Sequence, residues 1–424
     1  MSGRPDLTGR RWLVITEEDV FPENTGGRVD HAGFLRAASA AGVDLRVVVP
    51  AREFDAERYV AEVPNATFAQ VPRREGVRHH LSLRQPYVVA TRAVGDAQLL
   101  RAAGPARDAV LSHSVRVAHL GVAVARAWGV PHIVRCQNLD SQYFRDLARA
   151  SRGARRLAYA LEARRMRRFE ADLNGSPHIT AFTHVSADEA ARHRPLTRRP
   201  VLHVPLFALL PTDAVPHSRT QRAGVVFTGS LDVETNIAAL TWLLTRVWPS
   251  VRAARADATL TIVGRRPGDA LRAEVARRAG DGVVLAADVP DVTPYLRSAA
   301  VAVNPAQTGS GMNVKLLQAM LGGAAAVTTT VGGSGMAWDD GEDLMIADAP
   351  EQFAAATVRL LTDAAVRDRI AARGAVTVGD RLDPATNLAA IASLLDPALD
   401  PALPPAPVPP PRSGQAPTLG QPVA

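Results

Sequence analysis

The chain has 424 residues, with 49 basic and 42 acidic side chains, a net charge of +7, one cysteine and 47% hydrophobic residues. This length predicts two or three domains, each large enough to bury a core. The single cysteine, Cys136, excludes an internal disulfide framework and a cysteine-rich zinc site. The first ten residues are polar and every apolar run is short, so we expect neither a signal peptide nor a membrane span. The expected location is the cytoplasm.

The basic residues are almost all of one type. Lys315 is the only lysine, and the other 48 basic residues are arginine. Such a bias is typical of a GC-rich genome, so much of the positive charge is a background of composition. A net charge of +7 on 45 kDa is compatible with binding to a nucleic acid, an anionic membrane surface or a phosphorylated substrate, and it does not distinguish among these partners.

Short apolar or β-branched runs alternate with helical segments along the chain, which predicts βαβ units and mostly parallel sheets. The first series of predicted strands is Trp12–Ile15, Leu45–Val49, Ala109–Ser112, His132–Arg135, His178–Phe182 and Val201–Val204. The second series is Val225–Phe227, Thr259–Val263, Val283–Leu285, Ala300–Val303, Ala325–Thr328 and Leu344–Ile346. The chain is therefore predicted to form two α/β domains in tandem.

Proline and polar residues interrupt the pattern between the two series and again near the end. The expected units are an N-terminal domain over 1–205, a linker over 206–222, a second domain over 223–381 and a tail over 397–424. One further helix, Ala385–Leu395 within 382–396, is expected to pack back on the N-terminal domain. Ten of the 31 prolines lie in Pro397–Pro422, so we expect the tail to be disordered with polyproline character.

Two glycine-containing turns of the second domain are candidates for phosphate binding. In the first, Gly229 and Ser230 connect a predicted buried strand to a helix, and such turns present free backbone N–H groups. This signal is weak alone, because small residues also form ordinary tight turns.

The second turn carries a stronger signal. Its residues are Gly309, Ser310, Gly311, Met312 and Asn313, and a helix with Lys315 and Gln318 follows. The glycines allow a ligand to approach the backbone, and asparagine suits the cap of the helix. Such a helix start can hold a diphosphate with a cation close by. The alternative is that the only lysine lies there by chance.

The N-terminal domain has its own glycine turn, Gly26-Gly27, after the first predicted strand, where ligands approach sheets of this type. The turn does not match the dinucleotide-binding fingerprint, which disfavours a nicotinamide-binding domain. It does not match the phosphate-binding loop either, which excludes a P-loop ATPase. Ser112-His113-Ser114 follows another strand, but the nucleophile turn of a hydrolase is missing. We expect His113 to be a residue of the acceptor cleft or a histidine with only a structural role.

These motifs, in this order, resemble the retaining glycosyltransferases of the two-domain GT-B fold, in particular the large family 4, or group 1, type. The matching segments of the second domain are Val226–Ser230, Val263–Pro267, Val289–Val292, Asn304-Pro305, Gly309–Met320 and Gly332–Met336. In the N-terminal half the Gly26-Gly27 loop and the segment Arg135–Tyr143 resemble the acceptor domain. The resemblance implies an α/β protein with two Rossmann-like domains facing a cleft, and a C-terminal helix that crosses back to the first domain.

The resemblance also implies a reaction and roles for particular residues. A UDP- or GDP-sugar would be the co-substrate, with no other cofactor and no metal, and the sugar would move with retention to a hydroxyl acceptor. Lys315, assisted by Arg265, would neutralise the diphosphate, and Asp291 would lie beside the base. The loops at Gly229-Ser230 and Gly309–Asn313 would contact phosphate and sugar hydroxyls. Front-side attack of this kind needs positive groups at the phosphates rather than a protein nucleophile.

Three residues depart from the pattern of the family. Ser310 and Gln318 stand where its members commonly have two glutamates, and an amide at 318 is expected to weaken nucleotide binding or change donor choice. Gln137 stands where many relatives have histidine. Two alternatives therefore stay open: a nucleotide-sugar epimerase of the same fold, which would need paired carboxylates and a histidine in the cleft, and a non-catalytic scaffold subunit.

The segment 152–173 is unusually basic. Its arginines are Arg152, Arg155, Arg156, Arg164, Arg165, Arg167 and Arg168. They predict either an ordinary solvated helix face or docking on an anionic membrane or polyanionic acceptor. The expected acceptor is a lipid-linked or polymeric glycan, in cell-envelope glycan or secondary-metabolite synthesis, with peripheral contact at the inner membrane face as an open alternative. Nucleic acid is not expected, because no aromatic stacking platform accompanies the charge.

Overall fold

A computed structural model of the protein describes residues 6–21, 23, 25–52, 54–74, 85–207, 222–308 and 312–395. The chain forms one seven-stranded and one six-stranded sheet, both parallel, with helices on their faces. Within these described ranges no helix combines the length and the apolarity needed to cross a membrane. The predicted fold class is confirmed, while the predicted domain boundaries stay predictions, because the tail and most of the linker lie outside the described residues.

The first sheet is built from the N-terminal half of the chain. Its strands are β1 Arg11–Thr16, β2 Asp44–Ala51, β3 Ala66–Pro72, β4 Ala109–His113, β5 His132–Cys136, β6 Ala181–His184 and β7 Val201–His203. They lie in the order β3-β2-β1-β4-β5-β6-β7. In the centre, Val14 pairs with Val47 on one side and Leu111 on the other, so the middle strands are apolar and buried on both faces.

The helices of this half cover the two faces of the sheet. They are α1 Gly26–Ala40, α2 Ala56–Glu62, α3 Tyr87–Ala90, α4 Asp96–Ala103, α5 Ala118–Trp128, α6 Asp140–Ala150, α7 Gly153–Asn174 and α8 Ala187–His193. Thr25 caps α1, because its side-chain oxygen accepts a hydrogen bond from the Arg28 N–H at 3.4 Å. The helix therefore begins at Gly26, and the two glycines predicted to form a turn are its first residues.

The second half repeats the same plan. Its strands are β8 Val225–Ser230, β9 Leu260–Arg265, β10 Val283–Ala287, β11 Val301–Asn304, β12 Ala325–Thr328 and β13 Met345–Ile346, in the order β10-β9-β8-β11-β12-β13. Its helices are α9 Glu234–Trp242, α10 Trp248–Ala254, α11 Asp269–Arg277, α12 Thr293–Ser298, α13 Val314–Leu321, α14 Pro350–Thr362 and α15 Ala364–Arg381. Trp248 and Phe353, both buried, lie in its core.

The last described helix, α16 Pro384–Leu395, returns to the first half of the chain. Leu388, Ile391 and Ala392 belong to the same buried cluster as Trp12 and Phe34, which confirms the crossing predicted for this helix. A second apolar cluster contains residues of both halves, among them Val29 and Leu206 together with Leu316. The two halves are therefore packed against each other beside α13.

A buried ion pair lies where the first sheet meets the start of the linker. The Arg135 guanidinium on β5 donates two hydrogen bonds to the Asp30 carboxylate on α1, both at 2.7 Å, and both side chains are almost completely buried. Arg135 also donates to the Val204 and Pro205 carbonyls, and the Phe207 N–H donates to Asp30 at 2.8 Å. This network fixes residues 204–207 to the first sheet.

Candidate functional site

Numbered within its own sheet, the strand order is 3-2-1-4-5-6-7 in the first sheet and 3-2-1-4-5-6 in the second, and both orders place the topological switch at the first strand. Ligands of such sheets bind beyond the carboxyl ends of the strands at the switch. In the second sheet the switch lies between β8 and β11. Gly229 and Ser230 end β8, Arg265 ends the neighbouring β9, and α13 with Lys315 follows β11. The fold thus brings residues from three predicted motifs to one edge.

Lys315 lies at the centre of this edge. Its Nζ is 3.4 Å from the Asn236 side-chain oxygen, which accepts a long hydrogen bond. The Asn236 amide nitrogen donates to the Ser230 carbonyl at 2.8 Å, so the amide is held with its oxygen toward Lys315. A Cβ atom on Gly229 would lie 3.2 Å from the same Nζ. A glycine at 229 therefore leaves the room that the lysine needs.

A second cation stands beside the lysine. The Arg265 Nε donates to the Ser230 hydroxyl at 3.2 Å. Burial, together with the positive charge of Arg265, lowers the pKa of Lys315 to about 8. In the part of the chain that the structure describes, neither cation forms an ion pair with a carboxylate. Two neighbouring cations without a counter-ion make this edge a favourable place for an anion.

The start of α13 adds backbone donors to the two cations. Asn313 occupies the predicted cap position, although its side chain makes no capping hydrogen bond, and its carbonyl accepts from the Leu316 N–H. The first N–H groups of a helix have no partner within it and point outward. Met312 packs in the apolar cluster between the two halves of the chain. Gly309, Ser310 and Gly311, which are predicted to contact the donor, lie outside the described residues.

The glycine turn of the first domain lies opposite α13. A Cβ atom on Gly26 would come within 2.9 Å of the Val314 side chain, so only glycine permits the close approach of α1 to α13. Gly27 has open space where a Cβ would be. Gly26 and the start of α13 therefore lie close together, on the two sides of the cleft.

Two further predicted residues lie away from the cation pair. Asp291 accepts a hydrogen bond from the Thr293 N–H at 2.8 Å, just before α12, and it is exposed. Gln318 follows Lys315 by one turn of α13 and is half-buried, and its side chain makes no hydrogen bond to another described residue. The roles of both residues remain predictions.

His113 lies in the interior of the first domain. It ends β4, and its ring packs against Phe34 and His31, with centroid distances of 4.4 Å and 5.1 Å. Burial, with a contribution from His31, holds the pKa of His113 well below its usual value, so the ring is neutral at pH 7. This placement fits the structural alternative, while the predicted role of His113 in the acceptor cleft stays a prediction.

Gln137 is engaged inside the protein. Its amide nitrogen donates to the Asp30 carboxylate at 2.6 Å. The sequence singles out Gln137 but not Asp30, and it does not single out Asn236 as a partner of Lys315. Asp30 is a charged residue among the apolar positions of α1, and that is the signal that points to a buried partner.

Comparisons with known proteins bear on the fold and the class of the protein. Residues 222–363 match the family model described as Glycosyl transferases group 1. A protein of Klebsiella pneumoniae, described as an uncharacterized 44.6 kDa protein in the cps region, is 23% identical over 354 residues, which cover 81% of this chain and 88% of that protein.

Solved structures of the same architecture include several glycosyltransferases. HepE from Anabaena, solved in complex with UDP and glucose, matches with a TM-score of 0.62 and 12% identity over 91% of this chain and 99% of that one. WaaG, a glycosyltransferase involved in lipopolysaccharide biosynthesis, matches with a TM-score of 0.62 and 16% identity over 91% and 99%. Sucrose-phosphate synthase from Thermosynechococcus elongatus gives 0.62 and 16% over 92% and 100%.

The fold is that of the GT-B glycosyltransferases. The similarity to the group 1 family model lies over residues 222–363, where the sequence motifs predict the group 1, or family 4, type.

Proposed function

We propose that the protein transfers a hexosyl group from a UDP- or GDP-sugar to a hydroxyl acceptor, with retention and without a metal ion. The observation that carries the proposal is the pair formed by Lys315 and Arg265, which lies at the switch point of the donor sheet without a carboxylate partner among the described residues. A diphosphate supplies the negative charge that this pair lacks, and the first-turn N–H groups of α13 add donors to it.

In the proposed reaction the bond between the anomeric carbon and the diphosphate oxygen breaks. The acceptor oxygen forms its bond to the same carbon on the same face, and its proton passes to the departing diphosphate. Negative charge therefore grows on the diphosphate oxygens as the reaction proceeds. Lys315, Arg265 and the N–H groups at the start of α13 are positioned to stabilise that charge, which accelerates the step without a protein nucleophile.

The comparisons suggest where such a reaction is used. The Klebsiella pneumoniae relative belongs to a cps region, and WaaG is involved in lipopolysaccharide biosynthesis. HepE was solved with UDP and with UDP-glucose. On these grounds we favour assembly of a cell-envelope polysaccharide, with a lipid-linked or polymeric glycan as acceptor, over secondary-metabolite synthesis.

Calorimetric titration with UDP, GDP and their sugars, followed by assays of donor hydrolysis, tests the proposal against its alternatives. Binding of one nucleotide with slow hydrolysis of its sugar is expected. Conversion of the donor into an epimer without an acceptor would instead identify an epimerase. Failure of every nucleotide to bind would contradict the proposal and favour a scaffold subunit.

Replacing Gln318 by glutamate tests the position of the nucleotide. If the side chain faces the ribose hydroxyls, as the family resemblance implies, Gln318→Glu tightens UDP or GDP binding by about 3- to 10-fold, because hydrogen bonds to a charged acceptor are stronger. Titration of both proteins with the same nucleotide measures the change. Gln307→Glu, an exposed amide that is not on α13, serves as the matched control. Unchanged affinity in Gln318→Glu would contradict the assigned position.

We also propose that α7 contacts the membrane surface that carries the acceptor. Leu157 and Leu161, one helical turn apart, are 73% and 42% exposed. Arg155, Arg156 and Arg164 are exposed on the same helix, whereas Arg165 is buried against Glu162. Exposed leucines beside arginines suit an anionic bilayer surface better than water.

Sedimentation with vesicles tests this contact. Vesicles with a third of phosphatidylglycerol are expected to bind the protein, and Leu157→Ser with Leu161→Ser is expected to lower the bound fraction at least about 5-fold, because two apolar side chains lose their insertion energy. Val60→Ser with Val376→Ser removes two comparably exposed apolar residues elsewhere and is expected to change little. Equal binding by both double variants would argue against α7 as the contact.

A further inference from the structure

A large cavity lies on the first domain, away from Lys315. Its volume is about 1130 Å³, and α6, α7, α8 and the segment before β7 surround it. Five arginines from these four elements line it. They are Arg145, Arg167, Arg192, Arg198 and Arg199. Arginines that lie far apart in the sequence thus line one cavity. The high arginine content of the chain does not by itself explain this clustering.

The positive charge of this arginine cavity is not neutralised within the protein. In the described part of the chain, none of the five arginines forms an ion pair with a carboxylate. Three of them are oriented instead by neutral oxygens: Arg145 donates to the Gln142 side chain at 2.8 Å, Arg192 to the Asp188 carbonyl at 3.2 Å and Arg199 to the Ser176 carbonyl at 3.1 Å. Each such bond uses one N–H and leaves the rest of the guanidinium free for an anion.

Only one carboxylate, Glu170, is among the lining residues. It accepts a hydrogen bond from the Ser141 N–H at 3.0 Å, and burial raises its pKa to about 7. The group is therefore close to half neutral at pH 7, and it offsets little of the charge of the five arginines. The cavity keeps a strong net positive charge.

The uncharged residues that line the cavity indicate which class of anion it suits. The Asn174 side-chain oxygen accepts a hydrogen bond from the His193 ring at 2.7 Å, and its amide nitrogen makes no hydrogen bond to another described residue. No aromatic residue lines the cavity, so it has no platform on which nucleobases stack. The volume exceeds the usual range for a small ligand, and a single phosphate ion would not fill it. Guanidinium groups with an amide suit a chain that carries both carboxylates and hydroxyl groups.

The position of the cavity connects it to the proposed reaction. Leu139 and Ser141, at the start of α6, line one end of it, and α6 follows the carboxyl end of β5. Parallel strands end at the same edge, so this end of the cavity lies at the carboxyl edge of the sheet, where α1 also begins at Gly26. Arg198 and Arg199 precede β7 and lie toward the opposite edge, so the cavity extends between the two edges. A chain bound there can extend along the acceptor side of the cleft.

We propose that the arginine cavity binds an acidic oligosaccharide and holds the anionic part of the acceptor or of the growing product. Its role as acceptor site rests on the proposed transferase function, whereas binding itself does not. The cavity is separate from the donor site, since the residues that line it are all in the first domain and those around Lys315 are in the second. An acidic glycan bound there would not compete with a nucleotide.

Calorimetric titration of the full chain with tetragalacturonate tests this proposal, with maltotetraose and inorganic phosphate as comparison ligands. We expect tetragalacturonate to bind at least about tenfold more tightly than either. The double variant Arg167→Gln with Arg198→Gln removes two exposed guanidiniums that make no hydrogen bond to other described residues, and it should weaken binding at least about tenfold. Arg101→Gln with Arg246→Gln removes the same charge from exposed sites elsewhere and should change binding less than about twofold.

Three results would overturn the proposal: equal binding of maltotetraose, equal binding of inorganic phosphate, or equal weakening by the two double variants. Titration with UDP and GDP is run on the same proteins. Loss of tetragalacturonate binding with nucleotide binding intact contradicts the arginine cavity alone, whereas absence of nucleotide binding in every protein contradicts the proposed donor site.

Discussion

Replacing Lys315 by methionine is expected to lower kcat/KM by about 10²–10³-fold while leaving the melting temperature within about 2 °C of the parent protein. The loss follows from the position of Nζ between Asn236 and Gly229, where it would face the charge that develops on the diphosphate in the proposed reaction. Stability is expected to hold because the charged lysine is disfavoured in the free protein by burial and by Arg265. Methionine keeps the stem of the side chain and removes only the charge.

Steady-state transfer or donor hydrolysis gives the kinetic effect, and thermal unfolding of the same samples gives the stability. Arg297→Met, which removes a cation that makes no hydrogen bond to other described residues and is absent from the cleft, serves as the control. Full turnover in Lys315→Met would exclude the assigned role. A drop of more than about 5 °C in melting temperature would show that Lys315 is structural.

Because the pKa of Lys315 is about 8, nucleotide binding is expected to depend on pH. Below pH 8 the amine is mainly protonated in the free protein and attracts a diphosphate, whereas above pH 8 it loses its charge. The affinity for UDP or GDP is therefore expected to fall as the pH rises from 7 to 9.5. Lys315→Arg should lose most of this dependence, because a guanidinium stays charged over the whole range. The same slope in both proteins would show that another group titrates.

The sequence predicts most of the fold because the central strands are buried on both faces and therefore form continuous apolar runs. Strand β3 is missed, since it lies at the edge of the first sheet and is mostly half-exposed, so its sequence lacks such a run. Strand β6 is predicted three residues too early. Its pairing with β5 begins at Ala181 opposite Ile133, which local apolarity alone does not determine.

The site is predictable to the extent that its residues lie in turns between a strand and a helix. Gly229 and Arg265 lie at the ends of β8 and β9, Lys315 follows β11, and the parallel sheet brings the carboxyl ends of these strands together. Contacts between segments that lie far apart in the sequence cannot be predicted from such local patterns. The Gln137 amide binds a carboxylate 107 residues earlier in the chain, and the depth of His113 depends on how α1 covers β4.

Removing the buried Asp30 carboxylate is expected to destabilise the protein by about 3–5 kcal/mol, the largest effect that we expect on stability. Burial alone would raise the pKa of Asp30, but the charge and hydrogen bonds of Arg135 hold it well below its usual value. The carboxylate therefore stays ionised at pH 7, and Asp30→Ala would leave the Arg135 guanidinium buried without a counter-ion. Gln137 and the Phe207 N–H would lose their acceptor as well.

Urea unfolding at pH 7 measures the effect, with Asp108→Ala as the control. Asp108 pairs with Arg11 at 3.1 Å on the surface, and its loss is expected to cost about 1 kcal/mol or less. Asp30→Ala combined with Arg135→Met should recover part of the stability, because no unpaired charge then stays buried. A cost below about 1 kcal/mol for Asp30→Ala would show that the ion pair is not needed. Asp30 also accepts a hydrogen bond from the Phe207 N–H, and Asn387 on α16 donates to the Pro205 carbonyl. Loss of the ion pair would therefore weaken the attachment of residues 205–207 and of α16, the two segments that connect the halves of the chain.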